Sequence, residues 1–317
     1  MTSSDLKTAP AVAPDFRFTG HETFPCRYAW LPKAAENLRQ NPDLFADENG
    51  AMVTLGVGKN MVRAIRFWVD ATGVAEPKPG GGLEITALGS DILGHDGFDP
   101  YLEDIRTLWL LHWKLSTSVQ QPLFGWHYML NYWHRPDFTR TEVLHALQRE
   151  VERLGRRISA VTLDHHFTTF LHTYLPTRGG KGVVLEENLD CPLTELAFVQ
   201  KVGERTTADS NRREPIYAFR VEDKPEISPE LFVFCLNDFW SGRHRTEQTL
   251  PFREVAVGEA GPGQVFKLPE AAIRDRLETI GQTSDGLFDY QESSALAQVV
   301  RLKNPSASRL LRRVYEA

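Results

Sequence analysis

TLGVGKNMVRAIRFWVDATGVAEPKPGGGLEITALGSDIL, residues 54–93, sets the frame for the whole chain. It reads as a glycine turn, a helix, a glycine-rich loop, a short strand and the start of a second helix. At 100° per residue, Lys59, Arg63 and Arg66 fall on one stripe of the helix, spaced i, i+4 and i+7. Met61, Val62, Ile65, Trp68 and Val69 take the opposite side and form an apolar face. Gly56 and Gly58 precede the helix, and Gly73 stands where a C-terminal cap belongs. This order of parts is that of a winged helix-turn-helix, whose second helix enters a DNA groove and is followed by a hairpin wing. Gly80, Gly81 and Gly82 are expected at the wing tip, with Leu83 and Ile85 on the return strand. The plainer alternative is an amphipathic helix whose solvent face happens to carry three cations.

The 317 residues suffice for two or three domains, and their composition is that of a globular protein. A formal net charge of −6 means that a DNA binder of this sequence needs a local basic patch. Cys26, Cys191 and Cys235 lie far apart with no CxxC pair, which fits a reducing cytoplasm and argues against a cysteine-rich zinc site. No apolar run reaches the roughly 18 residues of a membrane span. The N-terminus has no secretory pattern, and residues 1–15 are expected to be a disordered tail.

Further along, residues 16–30 read FRFTGHETFPCRYAW. Alternation of Phe16 and Phe18 with polar residues suggests an extended arm. His21, Glu22 and Arg27 form a compact group, either a ligand or acid-base cluster or a capping and salt-bridge joint. Neighbours on an extended chain face opposite ways, which favours the joint.

These residues also carry a family likeness. Gly20-His21-Glu22-Thr23-Phe24 with Arg27 and Trp30-Leu31 resembles the opening of a bacterial family, the domain of unknown function numbered 4007. The likeness continues through Leu55-Gly56-Val57-Gly58-Lys59-Asn60-Met61-Val62, Ile85-Thr86 with Leu88-Gly89, and Leu102-Glu103-Asp104. It extends to Thr107-Leu108-Trp109-Leu110-Leu111-His112-Trp113 and Leu189-Asp190-Cys191-Pro192-Leu193. The resemblance brings no assigned enzymatic activity that can be transferred to this chain. Genes of that family tend to lie beside phosphoadenosine-phosphosulfate-reductase-like genes and in DNA-phosphorothioation or phage-defence clusters. The resemblance therefore implies a part in handling DNA during defence, by association.

Gly58-Lys59 fails as a P-loop, because Val53 stands at the first glycine position and Asn60 at the hydroxyl position. A glycine-led helix start with a lysine still suits a DNA phosphate. Residues 29–45 are expected to be the first helix of the DNA-binding unit, with Pro42 at its end.

Leu108, Leu111 and Leu115 with Trp109 and Trp113 describe one buried helix, and residues 126–133 a second. His112, His127 and His134 among them read as hydrogen-bonded core histidines, since no HxxxH or HExxH spacing occurs. Thr139 with Glu142 has capping-box spacing, and a further helix begins near Ser159. Asp164, His165, His166 and His172 are the densest set of metal-type ligands, although no second acidic cluster accompanies them.

A glycine turn is expected at 177–181, Cys191 precedes a helix-like run, and 206–213 is polar. Residues 216–220 and 264–268 read as strands, and 228–240 and 269–280 as helices. Residues 287–290 with 293–302 suggest a second helix-turn-helix-like module. The tail carries Arg301, Lys303, Arg309, Arg312 and Arg313.

The fold expected is therefore mainly α with small β elements, in the α+β class. A winged-helix-like domain would span 16–100, a helical aromatic-rich domain 101–205 and an α+β module 206–317. The function expected is a non-enzymatic, cytoplasmic DNA-binding protein of a defence or DNA-modification system. It would bind double-stranded DNA through Lys59, Asn60, Arg63 and Arg66, with defence proteins as further partners and without membrane attachment. No catalytic residue, metal or cofactor is assigned. The competing expectations are a metal-dependent nuclease using Asp164, His165 and His166, and a protein-protein adaptor.

Overall fold

A computed structural model describes residues 14–176, 191–206, 213–304 and 306–316. The expected N-terminal tail up to residue 13, the turn at 177–181, Leu189-Asp190 and most of the polar segment 206–213 lie outside the described residues. Among those described, the chain is mostly helical with three small antiparallel sheets.

The arm comes first. Phe16 and Phe18 are buried as the alternation requires, and Arg17 between them forms a bridge to Leu123. Three helices follow: α1 (Trp30–Gln40), α2 (Glu48–Leu55) and α3 (Lys59–Ala71). Asp47 caps α2 by accepting from the Asn49 amide. Gly56, at φ 64, ends α2 in the left-handed conformation that glycine adopts without a Cβ penalty. In α3 the apolar stripe of Val62, Ile65, Trp68 and Val69 is buried, and Lys59, Asn60, Arg63 and Arg66 are exposed. Gly73, at φ 70, follows the helix end.

Strands β1 (Ala75–Pro77) and β2 (Leu83–Ile85) then pair as a hairpin, with Gly80, Gly81 and Gly82 at positive φ in its loop. The hairpin is tied to the α1–α2 loop by Leu83 N–H to the Pro42 carbonyl (3.1 Å) and by Lys78 to Asp43 (3.2 Å). Helix α4 (Ala87–Leu93) begins at Thr86, whose hydroxyl accepts from the Gly89 amide. A Cβ at Gly89 would sit 2.1 Å from the Val74 carbonyl oxygen, so only glycine lets α4 pack there.

Helices α5 (Ile105–Thr117), α6 (Phe124–Asn131), α7 (Arg140–Arg153) and α8 (Ala160–Tyr174) build the aromatic interior. Thr139 and Glu142 form the full capping box of α7. Strand β3 (Asp137–Thr139) pairs with β5 (Arg213–Phe219), which pairs with β4 (Val199–Thr206). Helices α9 (Pro229–Arg243), α10 (Phe252–Val257), α11 (Pro262–Phe266), α12 (Glu270–Glu278) and α13 (Ile280–Thr283) follow. A last sheet joins β6 (Thr249–Pro251), β8 (Ala297–Arg301) and β7 (Phe288–Glu292), and α14 (Ala307–Glu316) closes the chain.

Buried side chains from the arm through α14 form one continuous cluster. Bonds tie distant segments: Arg106 donates to the Val314 carbonyl (2.7 Å), and the His112 ring bridges Tyr174 (2.7 Å) and the Val265 carbonyl (2.9 Å). His112 and His127 are core residues, whereas His134 is on the surface.

Two expected elements are corrected. Residues 264–268 are not a strand, because Pro262 at the first helical position starts α11, and Lys267 ends it at φ 50. The 287–302 region is not a helix-turn-helix module but the β7–β8 hairpin, whose partners include Tyr290 with Val299. Five apolar-rich residues do not discriminate a strand from a buried helix turn.

Candidate nucleic-acid interface

Helix α3 is held by its back. Trp68 is fully buried and its indole N–H donates to the Phe24 carbonyl at 3.0 Å, joining the helix to the His21–Phe24 turn. Its front carries Lys59, Asn60, Arg63 and Arg66 over almost two turns. Gly58 at its N-cap offers no side-chain cap, and the space around its α-carbon is open. Among the described residues no side-chain cap bond satisfies the first amides of α3.

The four residues are not electrostatically alike. Glu48, on α2, bonds Arg63 at 2.6 Å and Lys59 at 2.9 Å. Hydrogen bonds from Arg63 and then Lys59 hold its carboxyl below the usual carboxylate range. Arg66 and Asn60 make no hydrogen bond or ion pair among the described residues.

Beside the stripe lies a cleft of about 270 Å³ bordered by Arg63, Arg66, Glu22, Arg17 and Pro77 of the hairpin. Arg17 is committed to Asp70 at 2.6 Å and lies over the Phe67 ring at 4.6 Å. The Phe67 ring in turn passes so close to Gly20 that a Cβ there would lie 2.8 Å from it.

The turn that places Glu22 is unusual. Phe24 N–H bonds the His21 carbonyl at 2.8 Å, while Glu22 (φ 50) and Thr23 (φ 65) both adopt positive φ. Two non-glycine residues in that region cost on the order of 1–3 kcal/mol each and persist only when their surroundings hold them. His21 supplies the hold. Its ring is buried, with Nε2 3.2 Å from Nδ1 of His166 on α8.

Backbone amides reach both outer nitrogens: Thr23 N–H donates to His21 Nδ1 (3.1 Å), where the Thr169 hydroxyl also lies at 3.1 Å, and Gly125 N–H donates to His166 Nε2 (2.9 Å). An accepting ring nitrogen carries no proton, so with both amides donating the neutral rings carry their protons on the two facing nitrogens, which then do not bond each other. Burial lowers His21 to about 4 and, with His21 as neighbour, His166 to about 3.

The group His21, Glu22 and Arg27 is therefore distributed over three environments. His21 faces the core, Glu22 faces the α3 cleft, and Arg27 lies over Trp30 at 5.3 Å. Asp164, His165 and His166 likewise diverge. Asp164 bonds Arg140 at 2.5 Å, His165 is exposed and His166 is the buried partner of His21. No group of three or more His, Cys, Asp or Glu among the described residues is arranged to hold a metal ion. Cys191 is buried ahead of the short 3₁₀ turn Pro192–Leu196. Among the described residues no helix is long and apolar enough to cross a membrane.

A family model described as "Protein of unknown function (DUF4007)" matches residues 18–315. The chain belongs to this family. No curated protein matches it. Among solved structures, a magnesium ion-bound SspB crystal structure aligns at 25% identity and a TM-score of 0.80, over 94% of this chain and 87% of that one. A second SspB crystal structure aligns at 24% identity and a TM-score of 0.81, over 96% and 89%. In this DUF4007 chain many residues of the recognised motifs serve packing, as Gly20, Gly89, Trp109 and His112 do. Lys59 and Asn60 are exposed within such a motif, as are Thr23, Gly56, Gly58 and Glu103.

Proposed function

We propose that this chain is a DNA-binding component of a phosphorothioation or related defence system, contacting duplex DNA through a winged helix. The observation that carries the reading is the exposed Lys59–Asn60–Arg63–Arg66 face of α3, flanked by the β1–β2 hairpin. The sequence α2, glycine turn, α3, hairpin supports it, because a recognition helix needs a buried back and an open front. The SspB likeness supports the context, SspB being a protein of phosphorothioation systems.

In this reading Arg66 and the α3 N-terminal amides meet phosphates, and Asn60 is placed to read adenine. Glu48 stands in for a phosphate in the free protein, and Lys59 and Arg63 exchange it for the DNA backbone. Fluorescence anisotropy with plain and phosphorothioated duplexes tests this. Salt-sensitive binding supports it, a preference between duplexes identifies the modification as signal, and no binding by folded protein refutes it in favour of the adaptor.

A second reading rests on the magnesium in one SspB structure. Magnesium keeps several waters and needs only one or two carboxylates, so a metal-dependent nuclease does not require a protein cage. Chelator-sensitive nicking of supercoiled plasmid by purified protein would favour it.

A further inference from the structure

The α6–α7 side of the molecule carries a second cleft, of about 470 Å³, with a different chemistry from the α3 face. Tyr128 and Tyr132 line one side, with ring centroids 6.2 Å apart and planes inclined by 34°. Arg135, Glu142, His145 and Arg149 are among the residues that line the rest. Arg149 and His145 are exposed on α7 and make no hydrogen bond or ion pair among the described residues.

The carboxylate lining the cleft, Glu142, is already shared between Arg135 and Arg205, at 3.1 Å each. The cleft thus has an excess of cations. Tyr132 is 46% exposed, leaving its ring accessible. Its hydroxyl donates to Glu259 at 2.5 Å, and Arg243 fixes the other oxygen of that carboxylate at 3.1 Å. The ring is therefore held in place before any ligand arrives, which lowers the ordering cost of binding. The volume lies within the roughly 300–1,000 Å³ usual for small-ligand sites.

A fixed, open aromatic ring beside the Arg149 guanidinium and the exposed His145 imidazole matches a flat base joined to a phosphate. Stacking inside a duplex hides the base faces, so the ligand must be an unstacked, unpaired base. We infer that this cleft binds an unpaired nucleotide, its base stacked on the Tyr128–Tyr132 pair and its phosphate on Arg149 and His145. The nucleotide can belong to a single-stranded nucleic acid or be free in solution. The site is separate from the duplex-binding face proposed above and does not depend on it.

The experiment uses the full chain and a fluorescein-labelled thymidine oligonucleotide of about 16 nucleotides, in the size range of single-strand sites. Anisotropy is read for wild type, Arg149→Glu, Tyr132→Phe and Tyr132→Ala, with thymidine monophosphate as competitor. Arg149→Glu and Tyr132→Ala should each weaken binding roughly tenfold, the scale of one stacked base or one lost phosphate contact. Tyr132→Phe, which keeps the ring but loses its tether to Glu259, should weaken binding less than Tyr132→Ala. Competition by the monophosphate near the oligonucleotide's own concentration range identifies a free nucleotide as ligand, and much weaker competition identifies a strand. An iododeoxyuridine oligonucleotide should photo-cross-link within residues 128–149. Absence of oligonucleotide and monophosphate binding, or binding unchanged by Arg149→Glu and Tyr132→Ala, overturns the inference. Single-strand binding lost only with Arg66→Ala also overturns it, while leaving the α3 proposal standing.

Discussion

His21 and His166, 145 residues apart in sequence, meet ring to ring at 3.2 Å, each with its outer nitrogen capped by a backbone amide. A proton added to either ring must displace one of those amides and place a charge in the core. The Thr23 N–H bond to the buried His21 ring holds the strained turn that presents Glu22 to the α3 cleft, so a core histidine and the proposed interface share one turn.

Acid should loosen this lock in a defined window. The folded values, about 4 for His21 and about 3 for His166, lie below the unfolded 6.5. Between those limits the unfolded chain binds more protons, so stability falls as pH drops from about 6.5 towards 4. Each such histidine contributes up to about 1.4 kcal/mol per pH unit. Urea unfolding of wild type and His166→Gln should show a shallower pH slope in the variant. Equal slopes would contradict the assignment.

Gly20→Ala should destabilise the protein by about 2 kcal/mol or more, combining a positive-φ penalty at φ 110 with the Phe67 clash. Adding Phe67→Leu should restore only part of the loss, because it relieves the clash and not the backbone. Thermal unfolding of the two variants measures both components; full rescue would place the whole cost in the side chain.

Glu48→Gln should strengthen duplex binding severalfold and steepen its salt dependence. The substitution removes the carboxylate that competes with phosphates for Arg63 and Lys59. Anisotropy titrations at several salt concentrations check this. Weaker binding would mean that Glu48 orients those side chains for DNA more than it competes with it.

Asn60→Ala and Arg66→Ala should separate reading from holding. Loss of Arg66 should weaken all duplexes alike and lower the salt slope by about 1, whereas loss of Asn60 should flatten sequence preference. A selection from random duplexes for each variant provides the comparison. Identical sequence preferences in wild type and Asn60→Ala would remove Asn60 from base reading.

How much of this the sequence carried depended on the range of the interactions. The α3 stripe was readable because 3.6-residue periodicity separates Lys59, Arg63 and Arg66 from Val62, Ile65 and Trp68 without reference to any partner. The capping box at Thr139 and Glu142 was readable for the same local reason. Glu48 was not, since its pairing with Arg63 depends on how the Gly56–Gly58 turn sets α2 against α3. The His21–His166 contact and the Tyr132–Glu259 bond join residues more than a hundred positions apart, where no periodicity reaches. The helix at 262–266 was misread because Val265 and Phe266 are buried in both a strand and a helix turn, and the deciding signal was Pro262.

The most direct test of the central claim is the salt dependence of duplex binding by wild type and an Arg63→Ala/Arg66→Ala double variant. The slope of log affinity against log salt counts phosphates at about 0.9 each, so the variant should bind more weakly with a slope reduced by about 2. A well-folded double variant with wild-type affinity and slope would place the DNA surface elsewhere and contradict the assignment of α3 as the recognition helix.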